Sequence, residues 1–132
     1  TWAKQLGGTG HELSYSLARD IAGNIITSGY FYGTGDYDPG PGEVILTADA
    51  TSDFELFLSK LDSDGNFVWV NHFIGDNDAG SKSVITDGND IILFGDYNGI
   101  IDADAGPEVT ELTSAGGTDF LVAKYNADGA LI

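Results

Sequence analysis

Two short acidic turns carry the residue types best suited to chemistry. Asp36 and Asp38 alternate beside Pro39-Gly40-Pro41-Gly42, with Glu43 close behind, and the pattern returns as Asp102, Asp104 and Glu108. Hard cations such as Ca²⁺ take several oxygen ligands at about 2.3–2.6 Å, which paired carboxylates and turn carbonyls can supply. The same spacing fits an Asx turn, in which the carboxylate accepts backbone N–H groups beside Gly and Pro. Occurrence in both places does not separate the two, because equivalent turns have equivalent structural needs. Ca²⁺ is therefore the one cofactor the sequence raises, with these six residues as its ligand set.

Other constellations are weaker. Asp62-Ser63-Asp64-Gly65-Asn66 opens like a calcium loop but lacks the third spaced acid and closing Glu of an EF-hand. It reads instead as a hairpin turn, since Asp-Gly supplies the positive φ a tight turn needs. His11-Glu12 and His72 have no His-Glu-x-x-His spacing, and there is no nucleophile elbow or glycine-rich phosphate loop. The histidines read as surface or loop residues, and no enzyme is expected. Trp2, Trp69, Tyr30, Phe31, Tyr32, Phe54, Phe57 and Phe94 fall mostly in expected strands, where they serve packing. Tyr37, in a loop, is the aromatic best placed to stack on a carbohydrate.

Charge narrows the partners. The chain has 5 Lys and Arg against 21 Asp and Glu, a formal net charge of −16. Phosphate binding needs clustered basic side chains, so neither a nucleic acid nor an anionic membrane is expected. There is no cysteine, hence no disulfide framework or thiolate metal site. No apolar run approaches the roughly 20 residues of a membrane span. The absence of an initial Met or a signal peptide fits a processed product or a piece of something larger.

The elements that must position these turns are short strands. The 19 glycines and the lack of helix-length apolar patterns predict many turns. Strands are expected at Trp2 to Leu6, Tyr15 to Asp20, Asn24 to Tyr32, Thr51 to Leu61 and Phe67 to Phe73, with a short extended edge at Val44 to Thr47. A second set follows at Ser83 to Thr86, Asp90 to Tyr97 and Phe120 to Tyr125. Landmarks recur in order: Trp2 and Trp69 are 67 residues apart, Gly29 and Gly95 are 66 apart, and Lys60 and Lys124 are 64 apart. Matched landmarks at a near-constant offset mark an internal repeat. Residues 1–68 form the first repeat and 69–132 the second. Four antiparallel strands per repeat predict an all-β chain of two four-stranded, propeller-like blades. An eight-stranded sandwich is the alternative.

The residues that repeat also resemble a known family. Trp2 to Gly8, Asp20 to Phe31, Asp36 to Gly42 and Lys60 to Trp69 look like the bacterial β-propeller repeat of secreted and cell-surface proteins, the SBBP type. The second copy departs from it, with Ile74 in place of one glycine and Ala105 in place of the proline. The resemblance implies a propeller and an extracellular or cell-surface setting, and it implies no catalytic mechanism.

The repeat boundary falls inside a hairpin. The expected function is a non-catalytic structural module that associates head to tail by strand exchange. Trp2, Ala3 and Lys4 would pair beside Leu121, Val122, Ala123 and Lys124 of a neighbouring unit. Partners would be copies of the chain or flanking repeats. The alternative is a calcium- or carbohydrate-binding, lectin-like module, with a glycan as partner.

Overall fold

A computed structural model describes residues 1–49 and 54–132. Its described residues are all strand, turn and loop. The first unit is a four-stranded antiparallel sheet of β2 (His11–Arg19), β3 (Ile25–Tyr32), β6 (Glu55–Leu61) and β7 (Phe67–Phe73), in that order, and so takes in a strand that lies mostly beyond residue 68. The second repeat builds a three-stranded sheet from β8 (Ala79–Asp87), β9 (Asp90–Asp102) and β10 (Glu111–Tyr125). The expectation of two four-stranded units is thus corrected to one of four strands and one of three. The opening residues of the expected Thr51 to Leu61 strand lie outside the described residues.

A third, small sheet was not anticipated. It joins β1 (Gly7–Gly8), β4 (Thr34–Asp36) and β5 (Ile45–Thr47); the sequence presented the first two as glycine loop and long turn, and the third as a short extended edge. It repeats as well, in merged form. β9 continues to Asp102, β10 begins at Glu111, and Gly75 bridges Ile101 as Gly8 pairs Gly35. The small sheet is therefore the outer extension of each unit's central hairpin. The predicted strand Trp2 to Leu6 is also corrected, because residues 1–6 lie outside any ladder.

The two large sheets pack face to face. Alternation along each strand sends Ile26, Leu56 and Leu58 of the first sheet against Val84, Ile91, Leu93, Leu121, Ala123 and Tyr125 of the second. A smaller cluster of Phe31, Tyr37 and Phe57 lies on the other side of the first sheet, beside Leu6, Leu46 and Val70.

Each repeat bulges at the same point. The register slips between Ser14 and Ser16 opposite Gly29, and between Ser81 and Ser83 opposite Gly95. A bulge brings backbones close, which explains glycine inside a strand. A Cβ at Gly29 would lie 1.8 Å from the Leu13 carbonyl oxygen. Gly29→Ala is expected to cost about 3 kcal/mol, the upper end of overpacking. Gly117→Ala, with nothing within 4 Å, should fall within about 0.5 kcal/mol of the parent. Urea unfolding of both variants checks the contrast, and equal losses would contradict it.

Candidate assembly surface

The acidic turns are closed by their own backbones. Asp36 Oδ1 accepts the N–H groups of Asp38 and Val44, both at 2.9 Å, and Asp38 Oδ1 accepts that of Gly40 at 2.7 Å. The second copy repeats this. Asp102 Oδ1 accepts from Asp104 at 3.0 Å and Thr110 at 2.8 Å, and Asp104 Oδ1 from Gly106 at 2.8 Å. Glu43 and Glu108 are exposed in the same loops. Among the described residues, no three acidic or histidine side chains gather as a ligand set. These are the Asx-turn contacts that the spacing allowed.

The hairpin turns use the same device. Asp62 Oδ1 accepts N–H groups from Asp64 at 2.8 Å and Asn66 at 2.9 Å, and Asn126 Oδ1 accepts from Asp128 at 2.9 Å and Ala130 at 3.0 Å. Gly65 and Gly129 hold φ of 81° and 84° at matching points, the left-handed region that glycine enters without steric cost.

These contacts shift the carboxylates. The Val44 and then Asp38 N–H groups hold Asp36 below the ordinary range, and the Asn66 backbone N–H does the same for Asp62. Burial pushes Asp20 up, but hydrogen bonds from Asn24 and Lys60 outweigh it and leave Asp20 lowered too. A lowered folded pKa gives stability that is present above the unfolded carboxylate value, near 4. It is lost as pH falls through the folded values. The urea midpoint should therefore hold from pH 7 to about 5 and fall steadily below pH 4. A midpoint unchanged at pH 2.5 would contradict this.

The contact between the units is built on a repeated tryptophan. Trp69, on β7 of the first sheet, lies over the Gly129 turn of the second, where a Cβ would meet its ring at 3.2 Å. Its Nε1 donates to the Ala127 carbonyl at 3.1 Å, and Lys60 Nζ donates to the same oxygen at 3.0 Å. Trp2 occupies the matching place one repeat earlier. It lies over Gly65, and its Nε1 donates to the Ser63 carbonyl at 3.1 Å. Residues 1–6 thus stand toward the first unit as the fourth strand of the first unit stands toward the second, but without a ladder. Ala3 and Lys4 are exposed.

Equivalent residues differ sharply in exposure. Leu56 and Leu58 are fully buried under the second sheet, while their counterparts Phe120 and Val122 are 69% and 62% exposed. Ile85 and Phe94 are exposed beside them, and the Phe94 and Phe120 rings meet at 5.7 Å. Lys60 pairs with Asp20 at 3.0 Å, both side chains buried. Lys124 makes the matching pairs with Asp90 at 2.9 Å and Asp87 at 3.6 Å in half-exposed surroundings, and Asp90 first of all raises its pKa. Of the residues expected to assemble, Leu121 and Ala123 point into the core, whereas Val122 and Lys124 point outward. β10 itself is the edge of its sheet, and β6, its counterpart, is paired on both sides.

Two further expectations are corrected. Tyr37 is 1% exposed, its ring packed against Phe57 and Phe31, so it offers no face to a sugar. The loop folds back over the small cluster, and burial raises the pKa of Tyr37 well above the ordinary phenol value. His72 is neither a loop nor a surface residue. It lies in β7 with Nε2 on the Glu55 carboxylate and its ring 5.0 Å from Phe31. Glu55 is fully buried, and alternation in an all-apolar neighbourhood was the only available signal for it. His11 stacks on Tyr32 at 5.9 Å. A cavity of about 200 Å³ opens between the sheets, walled by Tyr30, Phe54, Lys82, Asp96 and Asn98.

No family model and no solved structure matches the chain. It is similar to an uncharacterized WD repeat-containing protein of Acanthamoeba polyphaga mimivirus, at 29% identity over 106 residues. The match covers 74% of this chain and 7% of that protein's length. WD repeats build propellers, so the similarity points to a propeller-type repeat. It carries nothing that singles out the bacterial secreted class.

Proposed function

We propose that the chain is a non-catalytic structural module of propeller type, whose units join head to tail by strand complementation. The observation that carries this reading is the pair of unlike edges. β6 is covered by β7, while β10, its counterpart, ends the second sheet. An uncovered strand edge is a template for another strand. Residues 1–6, held over the first unit by Trp2, have the position from which a fourth strand could reach β10 of a preceding unit. A head-to-tail contact of this kind closes into a ring or extends as a filament, according to its rotation. An extracellular or cell-surface setting accompanies the reading through the resemblance of the repeat.

Deletion of residues 1–5 tests it. Sedimentation velocity should show loss of the assembled species, with circular dichroism unchanged. A truncated chain that assembles like the parent would rule out strand complementation.

A lectin-like module is the second reading, favoured by the cavity. Tyr30 and Phe54 meet at 4.4 Å along one wall, and the Lys82–Asp96 pair at 3.1 Å supplies polar groups. Its volume, about 200 Å³, suits one sugar ring. A glycan panel should then show binding that Phe54→Ala removes. Calorimetric titration with Ca²⁺ tests the calcium version in the same preparation.

A further inference from the structure

We infer that the groove between the two units binds a linear, neutral oligosaccharide, laid along a row of aromatic side chains of which the cavity is only the middle. The inference rests on the lectin-like reading above and deepens it, by naming the class and extent of the ligand.

Five rings of the first unit form the row. Tyr15 meets Tyr30 at 5.5 Å, Tyr30 meets Phe54 at 4.4 Å, Phe54 meets Tyr32 at 6.4 Å, and Tyr32 meets His11 at 5.9 Å. Tyr30 and Phe54 are the cavity wall, while Tyr15 and Tyr32 extend the row past it and are 53% and 46% exposed.

The repeat shows that the fold does not require these rings. At the positions of His11, Tyr15, Tyr30, Tyr32 and Phe54 the second unit has Asp78, Lys82, Asp96, Asn98 and Thr118. Each ring is exchanged for a polar side chain, yet the bulged pairing of β2 with β3 is kept between β8 and β9. A demand of the fold leaves the same residue in both copies, as Trp2 and Trp69 or Gly29 and Gly95 show. All five polar images line the same cavity as Tyr30 and Phe54. Matching positions of two repeats thus meet in one groove, with rings on one side and hydrogen-bonding groups on the other. Both walls belong to this chain, so two consecutive units build the groove and no further one is needed.

That division suits a sugar. A pyranose turns C–H bonds outward from its faces, and these rest on the negative face of an aromatic ring. Its hydroxyls lie around the edge, where carboxylate, amide and ammonium groups can pair with them. A proline-rich peptide also docks on aromatic grooves, but it would cover the polar wall without offering enough partners, which is costly. Charge selects among sugars. Lys82 Nζ is engaged by Asp96 at 3.1 Å and stands 5.6 Å from the centre of the Tyr15 ring. Two carboxylates against one ammonium, on a chain of net charge −16, repel uronates and sialylated or phosphorylated chains. The cavity takes one ring, and the exposed ends of the row take its neighbours.

Calorimetric titration of the whole chain tests this. The probes are glucose, cellobiose and cellopentaose, with the matching N-acetylglucosamine and mannose series. Oligogalacturonate and decaproline are the contrasts. In at least one neutral series, affinity should climb with length, and neither contrast should bind. Tyr15→Ala and Tyr32→Ala change exposed ends of the row, so circular dichroism should match the parent. Each should weaken pentasaccharide binding by about three- to tenfold, the effect of one aromatic contact. No binding in any neutral series would overturn the inference and the lectin-like reading together. A monosaccharide held as tightly as its pentasaccharide, with both end variants like the parent, would leave a one-ring lectin and overturn the row. Preference for oligogalacturonate or decaproline would overturn the assignment to a neutral sugar.

Discussion

Trp69→Ala is expected to destabilise the fold by about 3–5 kcal/mol, the range for aromatic truncation in cores. The indole spans the two units. It packs on the main core, covers the Gly129 turn, and donates from Nε1 to Ala127 at 3.1 Å. Truncation removes apolar contact on both sides and uncovers a turn whose glycine leaves no side chain to fill the gap. Asn71 Nδ2, which donates to the Gly129 carbonyl at 2.7 Å, would be left as a lone clamp. Urea unfolding followed by circular dichroism measures the loss. A loss under about 1 kcal/mol, typical of a surface position, would mean that this contact does not hold the units together. Trp2→Ala should cost less, since Trp2 is 43% exposed.

Lys60→Met should cost about 3 kcal/mol, because removing one partner of a buried ion pair leaves the other charge uncompensated. Asp20 would keep its bonds from Asn24, at 2.9 and 2.8 Å, but lose the ammonium at 3.0 Å. Lys60 also carries the bond to Ala127, so the change reaches both units. Lys124→Met makes the same chemical change one repeat later, where solvent screens the pair, and the loss should be far smaller. Side-by-side denaturant curves of the two variants in the single-chain state are the check. Equal losses would show that burial by the second unit does not set the strength of the first pair.

The repeat was legible because identical structural demands leave identical residues. Asp at the start of a turn, Gly where φ is positive and the recurrence of Trp and Lys can each be read without coordinates, whereas the seat of Trp over that Gly and the pairing of Lys with Asp cannot. Strand positions followed from apolar alternation, and Phe67–Phe73 has the expected bounds. What escaped the sequence was set by neighbours. Trp2 to Leu6 has strand composition, but a strand exists only with a ladder partner, and the first unit offers residues 1–6 a turn and a face instead of an edge. Tyr37 follows an acidic turn and reads as exposed, yet the β4–β5 extension folds it onto Phe57. Glu55 and His72 are 17 positions apart and meet only through the β6–β7 register. The exposed face formed by Ile85, Phe94, Phe120 and Val122 looks like any core strand in sequence. Only comparison with the buried images in the first repeat reveals it as a surface.

Amide hydrogen exchange at Phe120 and Val122 tests the central claim most directly. Ile132 N donates to the Lys124 carbonyl at 2.9 Å, so the backbone of Lys124 faces the outer edge of β10. By strand alternation, the N–H groups of Val122 and Phe120 face the same way. Their images at Leu58 and Leu56 lie opposite Asn71 and Phe73 of β7. At low protein concentration Phe120 and Val122 should exchange quickly, while Leu56 and Leu58 exchange slowly. As concentration rises, a strand from another copy should cover the edge, and their exchange should slow toward that of Leu56 and Leu58. Fast exchange at Phe120 and Val122 at every concentration would contradict the claim that β10 receives a strand.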